Sequence, residues 1–490
     1  MHSGSADASF KDLCYMTTTN TLRKILDRKQ AEMCSPTPVA TAAGVCVVDT
    51  KSSAAIPCPD NIAILFAGVS AFYQQRASED AWVLLPASGM AGTFGAGACG
   101  TYHPSGPTGT ASAGSATTLT TTLTIRVNLA GYKFRITAGT GAGQEALITS
   151  NTVGANAVLT FATLTTPLDN TSVYLLLTGR FYFICPPTAT LGFRYWDHAL
   201  QTWSGALAVT TITNAGTDAR LVATPGFTPH ATGTATAGGA STLTNGAKTW
   251  TVNQWAQYQI RLTGGLGAGQ VRNISSNTGT VITTDAAWAT NPDNTTTYVI
   301  EGNENFLYFI GGATTSVFRY NIATMGAATT NTWTAMTVRG GASAAGATLS
   351  WVHNVSADSW TNESVILNGR RLYSLRGGAV STLDYYDIPS NAWTSAVAYA
   401  RAAETFTTGT SSEYDQGDYL YIQKEATGRW FRYDLRIDEL EGWFINLYTQ
   451  GAVVAGDKVW TVTYTDGATT VRWLYQILNT SQIIFRTMVI

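Results

Sequence analysis

Carboxylates, tryptophans and two glycine-rich loops are the residues of this chain whose types and spacing could do chemistry. Asp434, Asp438, Glu439 and Glu441 cluster in YDLRIDELEGW, and Asp384 and Asp387 lie in LDYYD. Two carboxylates facing each other across a cleft are what acid/base cleavage of a glycan requires. Acidic turns on a solvated sheet edge explain these residues more cheaply. Trp360, Trp393, Trp430 and Trp443 are candidates for stacking on sugar rings. Tryptophans at regular spacing more often fill a core. The loops GTGAGQ (139–144) and GLGAGQ (265–270) superficially resemble phosphate-binding loops. No Lys-Ser/Thr follows them and the next segment reads as a strand, so no helix N-terminus awaits a phosphate. A hairpin loop is the expected structure.

His2, His103, His198, His230 and His353 lack neighbours at ligand spacing, so no metal site is expected. Cys14, Cys34, Cys46, Cys58, Cys99 and Cys185 contain no Cys-x-x-Cys. They read as buried thiols, with cross-links between neighbouring subunits as the alternative. No GxSxG or Ser/His/Asp grouping is visible. The expectation is a protein that is not an enzyme and needs no cofactor.

Bulk properties point the same way. The 490 residues include 29 basic and 31 acidic side chains and are only 12% charged. No basic field is available to neutralise phosphates, which argues against a nucleic-acid partner. No apolar run reaches the roughly 18 residues of a membrane span, and MHSGSADASFKD does not read as a secretory signal. So low a charge suits a subunit held inside an assembly. Abundant Thr, Tyr, Trp and Phe punctuated by glycine turns indicate an all-β chain.

The elements that must position these residues are organised by two repeats. AGYKFRITAGTGAGQEALITSNT (130–152) is answered by AQYQIRLTGGLGAGQVRNISSNT (256–278). The match extends outward, from AGSATTLT and AGGASTLT to PLDNTSVY and PDNTTTY. Each copy reads as a small antiparallel β module of about 65 residues. Subtracting the modules exposes a second period of aromatic strand, turn, strand ending in Tyr, turn and Trp. Its anchors are Tyr73, Tyr195, Tyr320, Tyr386, Tyr433 and Tyr475. Repeats of about 40–60 residues with four short strands each fit blades of a β-propeller. One helix is expected near the start, over 22–33, capped by Thr19-Asn20-Thr21 with Leu22, Ile25 and Leu26 at helical spacing.

The units containing Gly311-Gly312 and Gly377-Gly378 resemble kelch repeats, with a Gly pair, a Tyr-Asp-type element and a Trp after a polar turn. The GTGAGQ-x-R-x-I-xx-NT pattern is similar to small β modules of tailed-bacteriophage virion proteins; Arg272 keeps its Arg, and Ala146 replaces it in the first copy. The resulting expectation is an all-β, kelch-like propeller of five to seven blades with two inserted β modules and an N-terminal helical arm. The expected divisions are an arm at 1–58, the propeller start at 59–110, module 1 at 111–178 and a blade at 179–231. Module 2 follows at 232–300 and further blades at 301–490. The resemblance implies a non-enzymatic structural subunit of a tailed-phage virion, in a neck, collar or tail ring. Its partners would be other virion proteins and copies of itself. The alternatives are an adhesin recognising host-surface glycan through the propeller face and a glycan-degrading enzyme.

Overall fold

The computed structural model describes residues 97–185 and 229–302 continuously. Elsewhere between 46 and 442 it describes the strands and part of their connections, and in 12–34 and 458–489 the strands alone. Every paired strand is antiparallel, and no helix occurs among the described residues.

Six four-stranded sheets form the body. Blade I contains Cys46–Asp49, Ile62–Ala67, Ala71–Arg76 and Ala81–Leu84. Blade II contains Cys99–His103, Arg180–Cys185, Gly192–Asp197 and Thr202–Trp203. Blade III contains Arg220–Ala223, Phe306–Ile310, Val317–Asn321 and Trp333–Ala335. Blade IV contains Ser350–Val352, Arg371–Leu375, Leu383–Asp387 and Ala392–Thr394. Blade V contains Ser411–Tyr414, Tyr419–Gln423, Trp430–Asp434 and Glu439–Gly442. These five blades take their strands in chain order. Blade VI joins Lys458–Asp466, Thr469–Leu478 and Ile483–Val489 to the N-terminal Ala31–Cys34. First strands touch in the sequence I, II, III, IV, V, VI and back to I, so the sheets close into a ring. This is a β-propeller. Its strand order does not distinguish kelch from other four-stranded blades.

The expected helix over 22–33 is not formed. Leu22–Leu26 pairs with Asp12–Met16 as a hairpin, and Ala31–Cys34 pairs with Ile483–Val489. The reason is long-range. The C-terminal segment supplies only three strands of blade VI, and the fourth must come from elsewhere. Helix propensity, a few tenths of a kcal/mol per residue, yields to pairing that closes the ring.

Aromatic side chains fill the seams between blades. Val48, Phe72, Phe183, Trp196 and Trp203 join blades I and II. Phe193, Phe309, Tyr320 and Trp333 join II and III. Tyr308, Trp351, Leu372 and Tyr386 join III and IV, and Val352, Tyr373, Phe431 and Tyr433 join IV and V. Tyr320 meets Phe193 edge-on at 4.9 Å, Tyr386 lies 5.9 Å from Tyr308, and Tyr433 lies 6.0 Å from Tyr373. Each such pair adds about 0.5–1.5 kcal/mol beyond simple burial.

Tyr73, Tyr195, Tyr320, Tyr386 and Tyr433 all fall on third strands. Tyr475 falls on the second strand of blade VI, because that blade opens with a long strand and receives its last from the N-terminus. Phe-Arg-Tyr occurs at 193–195, 318–320 and 431–433, yet the first two copies differ by one position in register. Tyr320 opposes Trp333, whereas in blade II it is Trp196, not Tyr195, that opposes Trp203. A shift of one residue in a strand exchanges the two faces. Trp196 is therefore fully buried and Tyr195 half-buried, beneath the Arg180 guanidinium at 4.4 Å.

Trp196→Ala should cost about 3–5 kcal/mol, in the range for buried large aromatics, and Tyr195→Ala clearly less; paired denaturant titrations measure the difference. Deleting residues 1–34 should lower the thermal midpoint and make blade VI the first site of limited proteolysis.

Candidate functional site: the coupled modules

Both modules grow from the same place in successive blades, between the first and second strands of blades II and III. Module 1 is a seven-stranded sheet running from Thr108–Thr110 to Val173–Leu177, and module 2 runs from Pro229–Thr234 to Thr297–Glu301. Their bulges coincide, at Ile136/Ala138 and Ile148/Ser150 in one and Leu262/Gly264 and Ile274/Ser276 in the other. Each has its own core, around Phe134, Ile148, Leu159 and Tyr174, or around Ile260, Ile274, Ile282 and Tyr298.

The repeated motif is used internally. Gln144 donates to the carbonyls of Gly141 and Thr166 and accepts from the Thr166 N–H. Gln270 donates likewise to Gly267 and Thr290 and accepts from Ala289 and Thr290. Asn151 accepts from the Leu129 N–H and donates to Val127 and Thr152, as Asn277 does with Trp255, Thr251 and Thr278. The glycine loop is thus a braced hairpin.

The last glycine of each loop serves a second purpose. Gly143 has φ 89°, and a Cβ there would lie 2.5 Å from the Thr263 carbonyl oxygen of module 2. Gly269, at φ 88°, stands 2.6 Å by the same measure from Thr137 of module 1. Residue i meets j and j meets i, the signature of a two-fold contact.

Four charged side chains lie at this contact. Arg135 donates to Glu145 of its own module at 2.9 Å and in a fork to Glu301 of the other at 2.7 and 3.0 Å. Arg261 donates to its own Glu301 at 2.9 Å and to Glu145 of the other module at 3.3 Å. Cation and anion alternate around the ring. Glu301 is fully buried, and the arginine side chains are 4% and 8% exposed. Burial alone would raise the Glu301 carboxyl, but the Arg135 and Arg261 guanidiniums outweigh it and hold it below the usual carboxylate range. Close by, burial pulls His230 down to about 4 against the opposing field of Glu301.

Module 1 is also tied to the propeller. Tyr132 donates to Asp60 at 3.1 Å, His198 Nε2 lies 3.4 Å from the same carboxylate, and the Arg126 N–H donates to the Ala199 carbonyl. Module 2 is tied through Arg319, which donates to Gln257 at 3.4 Å.

The residues singled out from the sequence are not gathered here. Trp393 is half-buried against Tyr386, and its indole N–H donates to the Thr337 carbonyl after blade III. Trp430 lies on the third strand of blade V with its own side chain outside the described residues, and Trp360, Trp443 and Asp438 lie outside them altogether. Glu439 and Glu441 are placed by backbone only. Asp434 is buried and accepts from Arg436 at 2.7 and 3.0 Å. Asp384 is buried and forked by Arg376 at 2.8 and 3.0 Å, with Arg339 at 3.7 Å. Asp387 accepts from Ser390 in its turn. Cys58 and Cys99 are buried thiols, and burial, aided by Asp60 and opposed by a hydrogen bond with Tyr102, pushes Cys58 up to about 12. Among the described residues no group of three His, Cys, Asp or Glu could hold a metal.

Reading the sequence missed the charged ring. Its one visible signal was the Arg shared by YKFRIT and YQIRLT. The acids gave none, since Glu145 corresponds to Val271 and Glu301 to Leu177.

No protein-family model matches the chain, and no curated protein matches it. Among solved structures it is similar to a lectin of Aleuria aurantia in complex with alpha-methyl-L-fucoside, at 8% identity and TM-score 0.37, covering 92% of this chain and 97% of that one. It is similar to U3-55K at 7% identity and TM-score 0.35, covering 94% and 98%. A third is the NanB sialidase of Streptococcus pneumoniae, at 7% identity and TM-score 0.22, covering 95% of each chain. Such scores add nothing to the architecture already given by strand order.

Glu301→Ala leaves Arg135 and Arg261 buried beside a single partly exposed acid, and should destabilise by about 3–5 kcal/mol; chemical denaturation measures it. The pH dependence has one sign. A His held neutral by burial loses stability as pH falls from about 6.5 toward its folded value, about 4 for His230. A carboxyl depressed in the fold, as Glu301 is, adds its loss below about 4.3. The thermal midpoint should therefore decline steadily on acidification, and Glu301→Gln should make the decline below about pH 4.3 shallower without removing it, because Asp169 and Asp293 are also depressed and His103 is held neutral down to about 3.

Proposed function

We propose that this chain is a non-enzymatic structural subunit of a tailed-bacteriophage particle, a propeller that carries a rigid pair of β modules as a coupling or spacing element. The observation that carries this reading is the Arg135–Glu145–Arg261–Glu301 ring. Charged groups that could serve a ligand are spent fixing two modules to each other. Asp384 and Asp434 are likewise engaged by Arg376 and Arg436. The similarity of the GTGAGQ modules to those of virion proteins supplies the particle. Low overall charge suits a position between neighbours.

A second reading, glycan binding by the propeller, is favoured by three half-buried tyrosines stacked with arginines. Arg180 lies over Tyr195, Arg371 over Tyr385 and Arg432 over Tyr419, at 4.4, 4.0 and 4.0 Å. An aromatic face beside a guanidinium offers both stacking and hydrogen-bond donors.

Electron cryo-microscopy of the purified protein and of its native particle should show it in symmetric contact with neighbours. Asp434, Asp438 and Glu441, substituted singly, should remove no enzymatic activity. Polysaccharide turnover by the purified protein would sink the structural reading. Saturable glycan binding lost in Tyr385→Ala, with no association into particles, would establish the second.

A further inference from the structure

The module contact has a chemical peculiarity. Its two arginines are equivalent by sequence and come together across a two-fold contact, an arrangement that by itself repels. Each module brings its own counter-charge from a different position. Module 1 carries Glu145 opposite Arg135 on the next strand, and module 2 carries Glu301 on the strand flanking Arg261. Either module is therefore electrically self-sufficient. A pair made of module 1 twice would hold two Arg135 and two Glu145, with the same alternation of sign. The backbone part is self-complementary too, because Gly143 and Thr137 of one copy are what Gly269 and Thr263 of the other would meet.

We propose that this face is a homotypic coupling surface whose partner is another copy of the same module. In this chain the neighbouring blade supplies that copy. If one copy is removed, the surface of the other recruits a second chain of this protein. The pair is thus a point at which cis contacts can be exchanged for trans ones, a low-cost route to oligomers. The inference rests on the contact alone and is independent of the particle proposed above.

The test uses the full chain with module 2 excised. Blade V joins its first two strands, ending at Tyr414 and beginning at Tyr419, through residues 415–418 alone. Replacing residues 224–305 with that DQGD segment joins Ala223 to Phe306 in the same register. The intact protein and the excised variant are compared by analytical ultracentrifugation at about 10–100 µM, a range that detects contacts of micromolar strength. The excised variant is expected to show a step of self-association absent from the intact protein, reversed by Arg135→Glu and by Gly143→Val. Unchanged self-association, or a step indifferent to both substitutions, overturns the proposal. Should the excised chain not fold, the intact chain still decides. Gly269→Val, which breaks the contact within the chain but leaves the Gly143 and Thr137 face of module 1 intact, should speed amide exchange at least tenfold along Lys133–Ala138 and Gln259–Gly264, and should produce concentration-dependent dimers that adding Gly143→Val abolishes. Loosened modules that stay monomeric throughout that range overturn it.

Discussion

A four-stranded sheet with an aromatic face cannot stand alone in water, and everything else in this molecule follows from how that face is covered. Each blade lays its second and third strands against the preceding blade, so Tyr320 meets Phe193, Tyr386 meets Tyr308 and Tyr433 meets Tyr373. Stacking of this kind has no natural end. It stops only when the last blade covers the first, and here that requires a strand from the opposite end of the chain. Ala31–Cys34 therefore becomes a strand whatever its local preference, and the two chain ends are brought together in blade VI.

A closed ring leaves its loops as the places where more chain can be added. The connection between first and second strands begins and ends at adjacent points of a hairpin, so a self-contained sheet can be inserted there without disturbing the seams. Two such sheets in adjacent blades are forced to be neighbours. Their contact combines close backbone approach at two glycines with three buried charges, Arg135, Arg261 and Glu301, and the partly exposed Glu145. Taking those charges from water is costly, and removing one would leave its partners uncompensated. The contact therefore discriminates between the aligned pair and any slipped one. It contributes definition of geometry more than gross stability.

The same economy appears in the propeller. Buried Arg339 donates to Ser374, Ser343 and the Gly341 carbonyl, tying the connection after blade III to blade IV beside the Arg376–Asp384 fork. Arg180 and Asp197 are bound across blade II, and Arg436 and Asp434 close the turn of blade V. In a chain this sparsely charged, many described ion pairs join elements distant in sequence. In the acidic clusters that look catalytic as strings of letters, DYYD and DLRIDE, Asp384 and Asp434 are ion-paired to arginines.

What the sequence by itself determined was whatever local pattern and repetition encode. Alternating aromatics and glycine turns specified strands, the duplicated segment specified two modules, and the spacing of Tyr320, Tyr386 and Tyr433 specified blades. Tertiary structure decided what depends on partners far along the chain. It turned residues 31–34 from an expected helix into a strand, because ring closure outweighs propensity, and paired residues 22–26 with 12–16 in a separate hairpin. It put Trp196 rather than Tyr195 into the seam of blade II, because a register one residue different inverts a strand. It also brought Glu145 and Glu301 to Arg135 and Arg261. Those acids occupy no equivalent places in the two repeats, so only the folded contact, where two buried arginines must be neutralised, reveals that they belong together.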